Sequence, residues 1–376
     1  MKILLTGGGG GGHFYPLIAV AQEINNLVKE EKLLPASLYF ISDAPYDAEA
    51  LIQNNITYIP ISAGKIRRYF SLLNFLDIFK TAWGTLTSII KVFNLFPDVI
   101  FSKGSYASFP ILFAARLFKI PVIIHESDSV PGKTNLWAGK FAQKIAISYP
   151  DAAQYFNKLK VAYTGNPIRR DIMLPSIREK GVEYFGLENS IKTILVLGGS
   201  QGAQKINDQI LSILPKLLEK YNVIHQTGKR NIIDVEQTVG VILEGSENKN
   251  RYKPQDYMDD LALSMAAGAA DLVISRAGST IFEISSWGIP SIIIPISESN
   301  GDHQRNNAFS YARSGGAEVI EEVNLSANVL LAEINRLLSN EDILAKMKIG
   351  AKSFIKTDAA RTIAKEILEI GLRHEK

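Results

Sequence analysis

The residues best suited to chemistry are six consecutive glycines at positions 7–12 and the histidine that follows them, His13. The glycines come after the apolar residues 3–5, and beyond them apolar side chains recur at three- and four-residue steps from Leu17 to Val28. This pattern predicts a strand, a turn and a helix. Such a turn directs bare backbone N–H groups at an anion, usually a phosphate. A flexible surface turn without a ligand is the alternative. However, six glycines in ordered structure would cost on the order of 3–6 kcal/mol of folding free energy relative to alanine.

His13 falls where the predicted first helix begins. The helix dipole at that end favours an uncharged imidazole, which can accept a proton. The pattern therefore makes His13 a candidate general base, with an ordinary loop or capping histidine as the alternative.

A second glycine turn, at residues 198–202, separates an apolar run at 194–197 from another helical pattern. Farther along, residues 271–283 again have the pattern of a strand, a glycine turn and a helix start. N–H groups at that helix start could hold a diphosphate while Glu283 bonds a ribose diol. Equally, Thr280 and Glu283 match a capping box, in which the glutamate only satisfies the backbone.

Two polar positions could complete a site for an anionic sugar donor. Arg169 follows the turn residues 165–167 and could neutralise a leaving diphosphate, although a solvated surface arginine fits the sequence equally well. Gln304 lies in a polar cluster after the predicted strand at 291–295, where α/β folds bind ligands, and would suit sugar hydroxyls. The chain contains no Asp-x-Asp, which argues against an acidic metal clamp, so we expect neither a metal nor a cofactor.

The composition bounds the class of protein. A chain of 376 residues that is 46% hydrophobic and 21% charged predicts two globular domains. It has no cysteine, which excludes disulfides and thiolate metal sites. A net charge of +3 is too weak to indicate nucleic acid, but it suits an anionic substrate or membrane surface. No apolar run reaches the roughly 18 residues of a membrane span and no signal-peptide core forms, so we expect a cytoplasmic location.

Short apolar runs alternate with helix-length segments throughout, which predicts an α/β protein with doubly wound parallel sheets. The expected strands are at 3–6, 38–42, 99–102, 122–125, 145–147, 194–197, 223–226, 272–275 and 291–295. The turn residues 165–167 divide the chain into expected domains 1–164 and 165–356, facing one another across a cleft. The last helix, about 357–376, is expected to pack back on the first domain.

A basic cluster, Lys65, Arg67 and Arg68, precedes an aromatic-rich helical stretch. The stripe along that stretch consists of Leu72, Phe75, Phe79 and Trp83, and charged residues within it exclude a spanning helix. A basic cluster beside an aromatic stripe predicts an anchor for anionic lipid. The alternative is that the stripe packs on the sheet as core.

Taken together, these motifs closely resemble the MurG glycosyltransferases, which add N-acetylglucosamine to the lipid-linked muramyl-pentapeptide of peptidoglycan synthesis. The matching segments follow the family's order over nearly the whole chain: 8–13 with Pro16, 103–106, 125–126, 134–135, 165–169, 198–203, 276–279, 283, 302–304 and 307–308. The resemblance implies the GT-B fold, with two Rossmann-like domains and a peripheral location on the cytoplasmic face of the membrane. It strengthens the interpretation of the basic and aromatic segment as a contact with an anionic membrane surface.

The resemblance also implies roles for individual residues. The donor, UDP-N-acetylglucosamine, would contact Arg169, Ser200, Gln201, Met258, Ser279, Thr280, Glu283 and Gln304. The acceptor, an undecaprenyl-diphosphate-linked muramyl-pentapeptide, would contact Gly8, Gly9, Gly10, Gly11, Gly12, His13, Tyr106 and Asn135. His13 would remove the acceptor hydroxyl proton, with Glu126 and Asp128 as orienting groups or an alternative base. The implied reaction is a single inverting displacement at the anomeric carbon with UDP leaving.

Three features depart from the family pattern. Gly10 replaces the usual threonine, which removes a hydroxyl from the acceptor loop. Ser127 and Asp128 replace the more common Gln-Asn pair. The segment 276–283 is one residue shorter than the usual spacing.

Other classes of protein explain fewer of these motifs. In an NAD-dependent oxidoreductase Asp43 would bind ribose, but it follows the glycines by about 30 residues where about 20 is usual, and the second glycine turn would have no role. A nucleotide-sugar epimerase of the same fold would need no lipid acceptor. A catalytically silent lipid-binding scaffold of the cell-wall machinery would fit the Gly10 departure, although His13, Glu283 and Gln304 are retained.

Overall fold

A computed structural model of the chain describes residues 1–8, 10–64, 72–199, 202–297 and 299–374, and only the main chain of 72–79 and of residue 300. The chain divides into two compact units. Unit 1 is Met1–Arg169 with Lys356–Lys376, and unit 2 is Arg170–Ile355. The division therefore lies just after the turn residues 165–167, where we expected it just before them.

The described strands of unit 1 form one parallel sheet of seven. In chain order they are β1 (Lys2–Thr6), β2 (Ser37–Ser42), β3 (Ile56–Pro60), β4 (Val99–Ser102), β5 (Val122–Glu126), β6 (Lys144–Ile147) and β7 (Val161–Tyr163). Their order across the sheet is β3-β2-β1-β4-β5-β6-β7, so the direction of winding reverses between β1 and β4. Thr6 at the end of β1 pairs with both Ile41 and Ser102, which brings the carboxyl ends of β1, β2 and β4 level at one edge.

Helices cover both faces of this sheet. They are α1 (Gly11–Glu30), α2 (Ala48–Gln53), α3 (Leu72–Leu95), α4 (Phe109–Leu117) and α5 (Lys133–Ala138), with 3₁₀ turns at Tyr106–Ser108 and Pro150–Tyr155. Alternate side chains of β1 enter different cores: Ile3 and Leu5 pack with α1, and Leu4 packs with α4. Burial of both faces explains why the inner strands are continuous apolar runs.

The C-terminal helix, Ala359–His374, belongs to unit 1. Its apolar side chains, among them Ile363 and Ile367, join the same buried cluster as Ile24 of α1. On the flank of the contact, Arg361 donates to the carboxylate of Glu30. The helix is therefore an integral part of the unit 1 core.

The described strands of unit 2 form a parallel sheet of six, with the order β10-β9-β8-β11-β12-β13. They are β8 (Thr193–Leu197), β9 (Asn222–Gln226), β10 (Tyr252–Gln255), β11 (Leu272–Ser275), β12 (Ser291–Ile293) and β13 (Ala317–Val319). The winding reverses between β8 and β11. In such sheets ligands bind outside the carboxyl ends of the strands at this reversal.

The described helices of unit 2 are α6 (Arg170–Met173), α7 (Arg178–Phe185), α8 (Gln204–Leu218), α9 (Ile232–Ile242), α10 (Asp260–Ala269), α11 (Thr280–Trp287), α12 (His303–Ala312), α13 (Ala327–Leu338) and α14 (Glu341–Phe354), with 3₁₀ turns at Lys249–Arg251, Asn300–Asp302 and Glu322–Asn324. Four of these helices, α8, α9, α13 and α14, pack around one apolar cluster. Helix α8 supplies Ile206, Ile210, Ile213 and Leu217 to this cluster. Nowhere in the described ranges does a helix combine the length and the apolar character that a membrane span requires.

All nine predicted strands are present, with ends that differ from the prediction by no more than two residues, so the doubly wound α/β class is confirmed. Four strands were not predicted: β3, β7, β10 and β13. These four lie at the outer edges of the two sheets.

The turn formed by the glycine run is shorter than the sequence predicts, because α1 already begins at Gly11. A Cβ atom on Gly8 would lie 2.8 Å from the Ser42 Oγ atom and 2.9 Å from the Ala107 Cβ atom. At Gly10 an added Cβ would meet nothing within 4 Å, and φ is 166°, which any residue adopts. Packing inside the protein thus requires glycine at position 8, whereas position 10 is open.

We expect Gly8→Ser to reduce the free energy of unfolding by about 1–3 kcal/mol, since the new side chain must displace its neighbours. Gly10→Ser, at the cap of α1, should change it by less than about 0.5 kcal/mol. Urea unfolding of the two variants measures the difference. Equal losses at both positions would contradict this account of the turn.

Candidate active site

The predicted acceptor residues of unit 1 follow the carboxyl ends of its central strands. The glycine turn follows β1, Lys103 follows β4, and Glu126 ends β5. Parallel pairing holds these three ends at one edge of the sheet. Gly9 lies outside the described residues.

His13 is the third residue of α1, and its ring is oriented by a main-chain carbonyl. Its Nδ1 atom lies 3.2 Å from the carbonyl oxygen of Lys103. A carbonyl can only accept a hydrogen bond, so Nδ1 carries the hydrogen in this contact. In the neutral ring Nε2 is then the nitrogen that can accept a proton, which is what a general base requires.

Beneath His13 lies a buried polar cluster centred on Lys103, whose exposed fraction is 1%. The Lys103 Nζ atom lies 2.7 Å from the His125 Nδ1 atom and 3.1 Å from the Asn166 Oδ1 atom. His125 Nε2 donates to the carbonyl of Gly165 at 2.9 Å, so its Nδ1 accepts from Lys103. The cluster ties Gly165 and Asn166, which follow β7, to β4 and β5.

Burial governs the ionisation of this cluster. It lowers the pKa of Lys103 to about 7 against the opposing attraction of Glu126 and Asp128. Burial, together with the charge of Lys103, lowers the pKa of His125 well below its usual value. His125 is therefore a neutral acceptor for Lys103. Neither residue was predicted to belong to the site, although a lysine and a histidine at the ends of apolar strands are a signal for such a role.

Glu126 is buried and accepts three hydrogen bonds. Its donors are Asn135 Nδ2 at 2.9 Å, the Asp128 N–H at 3.0 Å and the Gly132 N–H at 3.1 Å. Burial and the neighbouring charge of Asp128 raise the pKa of Glu126 to about 7. With both oxygens bonded in this way, Glu126 shapes the loop after β5, and the half-buried Asp128 is the more accessible carboxylate of the two.

Asn135 and Tyr106, both predicted to contact the acceptor, also make internal bonds. Besides Glu126, Asn135 Nδ2 bonds the carbonyl of His125, whereas its buried Oδ1 has no hydrogen-bond partner among the described residues. The Tyr106 hydroxyl donates to Asp43 Oδ2 at 2.5 Å. Burial and this carboxylate raise the pKa of Tyr106 above its usual value. The side chain of Asp43, the candidate ribose acid of an oxidoreductase, is thus bonded inside unit 1.

Arg169, which ends the first segment of unit 1, stacks on α1. Its guanidinium carbon lies 3.6 Å from the centroid of the Tyr15 ring, and the residue is buried. The alternative of a solvated surface arginine is therefore wrong. Stacking on an aromatic face fixes the plane of a guanidinium, the group best suited to binding phosphate oxygens.

The predicted donor residues of unit 2 lie on several segments. Helix α11 begins at Thr280 with Ser279 as its N-cap, so Thr280 lies inside the helix and is not the N-cap of a capping box with Glu283. Met258 is buried just before α10. Gln304 is in the first turn of α12, and its Oε1 accepts from the Ile296 N–H at 3.1 Å. Ser200 and Gln201 lie outside the described residues.

Comparison with known proteins decides the family. The N-terminal domain of glycosyltransferase family 28 matches residues 3–147, and the C-terminal domain of that family matches residues 193–365. The chain is 36% identical over 371 residues to UDP-N-acetylglucosamine--N-acetylmuramyl-(pentapeptide) pyrophosphoryl-undecaprenol N-acetylglucosamine transferase 2 of Bacillus cereus, which covers 98% of this chain and 99% of the relative. The Clostridium perfringens transferase is 37% identical over 353 residues, 93% of this chain and 94% of the relative. The chain belongs to the MurG glycosyltransferase family.

Solved structures confirm the GT-B fold of this MurG family member. The crystal structure of Acinetobacter baumannii MurG superposes with a TM-score of 0.71 at 23% identity, covering 98% of this chain and 99% of the other. A putative UDP-N-acetylglucosamine 2-epimerase from Listeria monocytogenes reaches 0.70 at 14% identity, covering 100% and 97%. Fold likeness alone therefore does not separate transferases from epimerases, whereas the sequence relatives place the chain with MurG.

The pKa of Glu126 leads to a prediction for stability. Between pH 5 and 7 the folded state holds a proton on Glu126 that the unfolded state releases near its ordinary value of 4.5. The free energy of unfolding therefore falls as pH rises through this window, by up to about 1.4 kcal/mol per pH unit. We expect Glu126→Gln to flatten this slope in urea unfolding at several pH values. The exposed Glu219→Gln should keep the wild-type slope, and a wild-type slope in Glu126→Gln would contradict the assignment.

Proposed function

We propose that the chain transfers N-acetylglucosamine from UDP-N-acetylglucosamine to an undecaprenyl-diphosphate-linked muramyl-pentapeptide. The observation that carries the mechanism is the His13 ring at the glycine turn, held through Nδ1 by the Lys103 carbonyl. The sequence relatives are named for this transfer, and the chain aligns with them over nearly their whole length. No step of the proposal uses a metal.

In the proposed reaction an acceptor hydroxyl attacks the anomeric carbon of the donor sugar. The new glycosidic C–O bond forms as the bond from that carbon to the UDP oxygen breaks, which inverts the configuration. His13 Nε2 takes the proton of the attacking hydroxyl, and UDP leaves with the electron pair of the broken bond. Glu126 keeps the loop of Asp128 in shape through its three hydrogen bonds.

The acceptor diphosphate is assigned to the glycine turn and the start of α1, because a helix N-terminus favours phosphate oxygens. We assign donor binding to Arg169, Ser200, Gln201, Met258, Ser279, Thr280, Glu283 and Gln304. The position of Ser279 and Thr280 at the start of α11 supports this assignment, because a helix N-terminus favours phosphate oxygens. The stacked guanidinium of Arg169 supports a contact with a leaving diphosphate.

We expect His13→Ala to lower kcat by about a hundredfold or more, the usual contribution of a positioned general base. The measurement is UDP release from UDP-N-acetylglucosamine in the presence of the lipid-linked acceptor. His374→Ala, at the exposed end of the C-terminal helix, is the matched control and should keep the wild-type rate. An unchanged rate in His13→Ala would remove its role as base, and turnover without acceptor would favour an epimerase.

We further propose that unit 1 docks on an anionic membrane surface at its cytoplasmic face through α3 and α4. Apolar side chains at three- and four-residue steps along α3 are exposed: Trp83, Leu86, Ile90 and Phe93. At Trp83, 63% exposed, the alternative of a core position is wrong. Phe113 and Leu117 of α4 are exposed as well, next to the cations Arg116 and Lys119. An exposed apolar stripe beside cations fits an interfacial anchor.

The predicted basic cluster Lys65, Arg67 and Arg68 lies outside the described residues, as do the side chains of Leu72, Phe75 and Phe79. The experiment therefore uses the described part of α3. We expect Ile90→Ser to weaken sedimentation with phosphatidylglycerol vesicles about tenfold, because a buried isoleucine contributes about 1.5 kcal/mol or more. Ile349→Ser, which changes a 73% exposed isoleucine of α14, is the control and should bind as wild type. Equal binding by both variants would count against the surface.

A further inference from the structure

One carboxylate in unit 2 binds three separate segments at the carboxyl edge of the sheet. Glu322 begins the 3₁₀ turn that follows β13. Its Oε1 atom lies 2.7 Å from Arg276 Nη2. Its Oε2 atom lies 3.1 Å from Lys205 Nζ and 3.2 Å from the Ser297 N–H. Glu322 was not predicted as a site residue, because it follows β13, a strand that was not predicted.

Each of the three segments adjoins residues assigned to the donor. Lys205 is in the first turn of α8 and follows Gln201 by four positions in the sequence. Arg276 follows β11 and precedes the start of α11. Ser297 follows Ile296, whose N–H donates to Gln304. Because β8, β11, β12 and β13 are neighbours in the sheet, the segments after them converge on one place.

The electrostatics favour a permanent ionic contact. The side chain of Glu322 is 4% exposed, and Arg276 also donates to the Ile294 carbonyl at 3.2 Å. Burial opposes the charge of Glu322, but hydrogen bonds from Ser297, Lys205 and Arg276 outweigh it and lower its pKa to about 2. Glu322 is therefore ionised throughout the working pH range. Two cations against one carboxylate leave a positive charge, which suits a neighbouring diphosphate.

We propose that Glu322 is a positioning residue for the donor: its carboxylate fixes the segments of Lys205, Arg276 and Ser297 in the arrangement that binds the nucleotide diphosphate. This inference rests on the proposed function, because it deepens the assignment of the donor site. Segments that are already ordered lose less conformational freedom when the donor binds, and the affinity rises accordingly.

The test is titration calorimetry of the full chain with UDP, together with steady-state kinetics. We expect Glu322→Gln to raise the Kd for UDP and the KM for UDP-N-acetylglucosamine about tenfold. The KM for the lipid-linked acceptor should not change, and kcat should change less than the donor KM. Glu322→Asp, which keeps the charge, should restore part of the affinity. Glu321→Gln, at the neighbouring surface pair with Arg305, should bind UDP as wild type.

Asp271→Asn separates positioning from general stability. Asp271 is also a partly buried carboxylate of unit 2, bonded to Arg178 Nη1 at 2.9 Å and to the Thr193 N–H at 2.8 Å. It precedes β11, at the opposite edge of the sheet from Glu322. We expect Asp271→Asn to lower the unfolding temperature and to leave the Kd for UDP unchanged.

The outcomes distinguish the positioning role of Glu322 from the proposed function of the chain. Wild-type affinity for UDP in Glu322→Gln would overturn the positioning role and leave the transferase proposal standing. An equal loss of affinity in Asp271→Asn would also overturn it, because the effect would then follow stability alone. Failure of the wild-type chain to bind UDP would instead overturn the proposed function.

Discussion

The parallel pairing of the strands is the constraint on which both candidate sites depend. Every strand pair recorded in the two sheets is parallel, so all strands of a sheet end at the same edge. Both faces are covered by helices, which leaves that edge as the place where main-chain and polar groups can meet a ligand. The glycine turn, Lys103 and Glu126 share this edge in unit 1, and Lys205, Arg276 and Glu322 share it in unit 2.

Each edge is organised by a buried ionisable group with several partners. In unit 1 the amino group of Lys103 bonds His125 and Asn166, while the main-chain carbonyl of Lys103 orients His13. In unit 2 the carboxylate of Glu322 bonds three segments that are far apart in sequence. A buried charge is tolerated only when its partners are correctly placed, so it also limits how far the surrounding loops can move.

The interior of each sheet could be predicted from the sequence, and the edges could not. Inner strands such as β1 and β8 are continuous apolar runs because both of their faces are buried. The edge strands carry exposed or polar residues: β7 is only partly buried, and β10 contains Lys253 and Pro254. Proline is tolerated at a sheet edge, where no neighbour needs its N–H. Such strands lack the pattern on which the prediction relies.

The candidate site was predictable where a motif lies in one stretch of sequence, as with His13 and the residues that follow β5. The contacts of Lys103 with Asn166, and of Glu322 with Lys205, join residues more than sixty positions apart. No local pattern predicts which of many charged residues will be buried together, because that depends on the order of the strands. The order of the motifs along the chain indicates the function, whereas the contacts that support the site residues depend on the fold.

The open space at Gly10 makes the glycine turn accessible to spectroscopy. The chain has no cysteine, so a thiol introduced there would be the only one in the molecule. Because a Cβ at this position meets no atom within 4 Å, a small fluorophore or spin label could be attached without disturbing the packing around Gly8. The label would report directly on anything that occupies the turn.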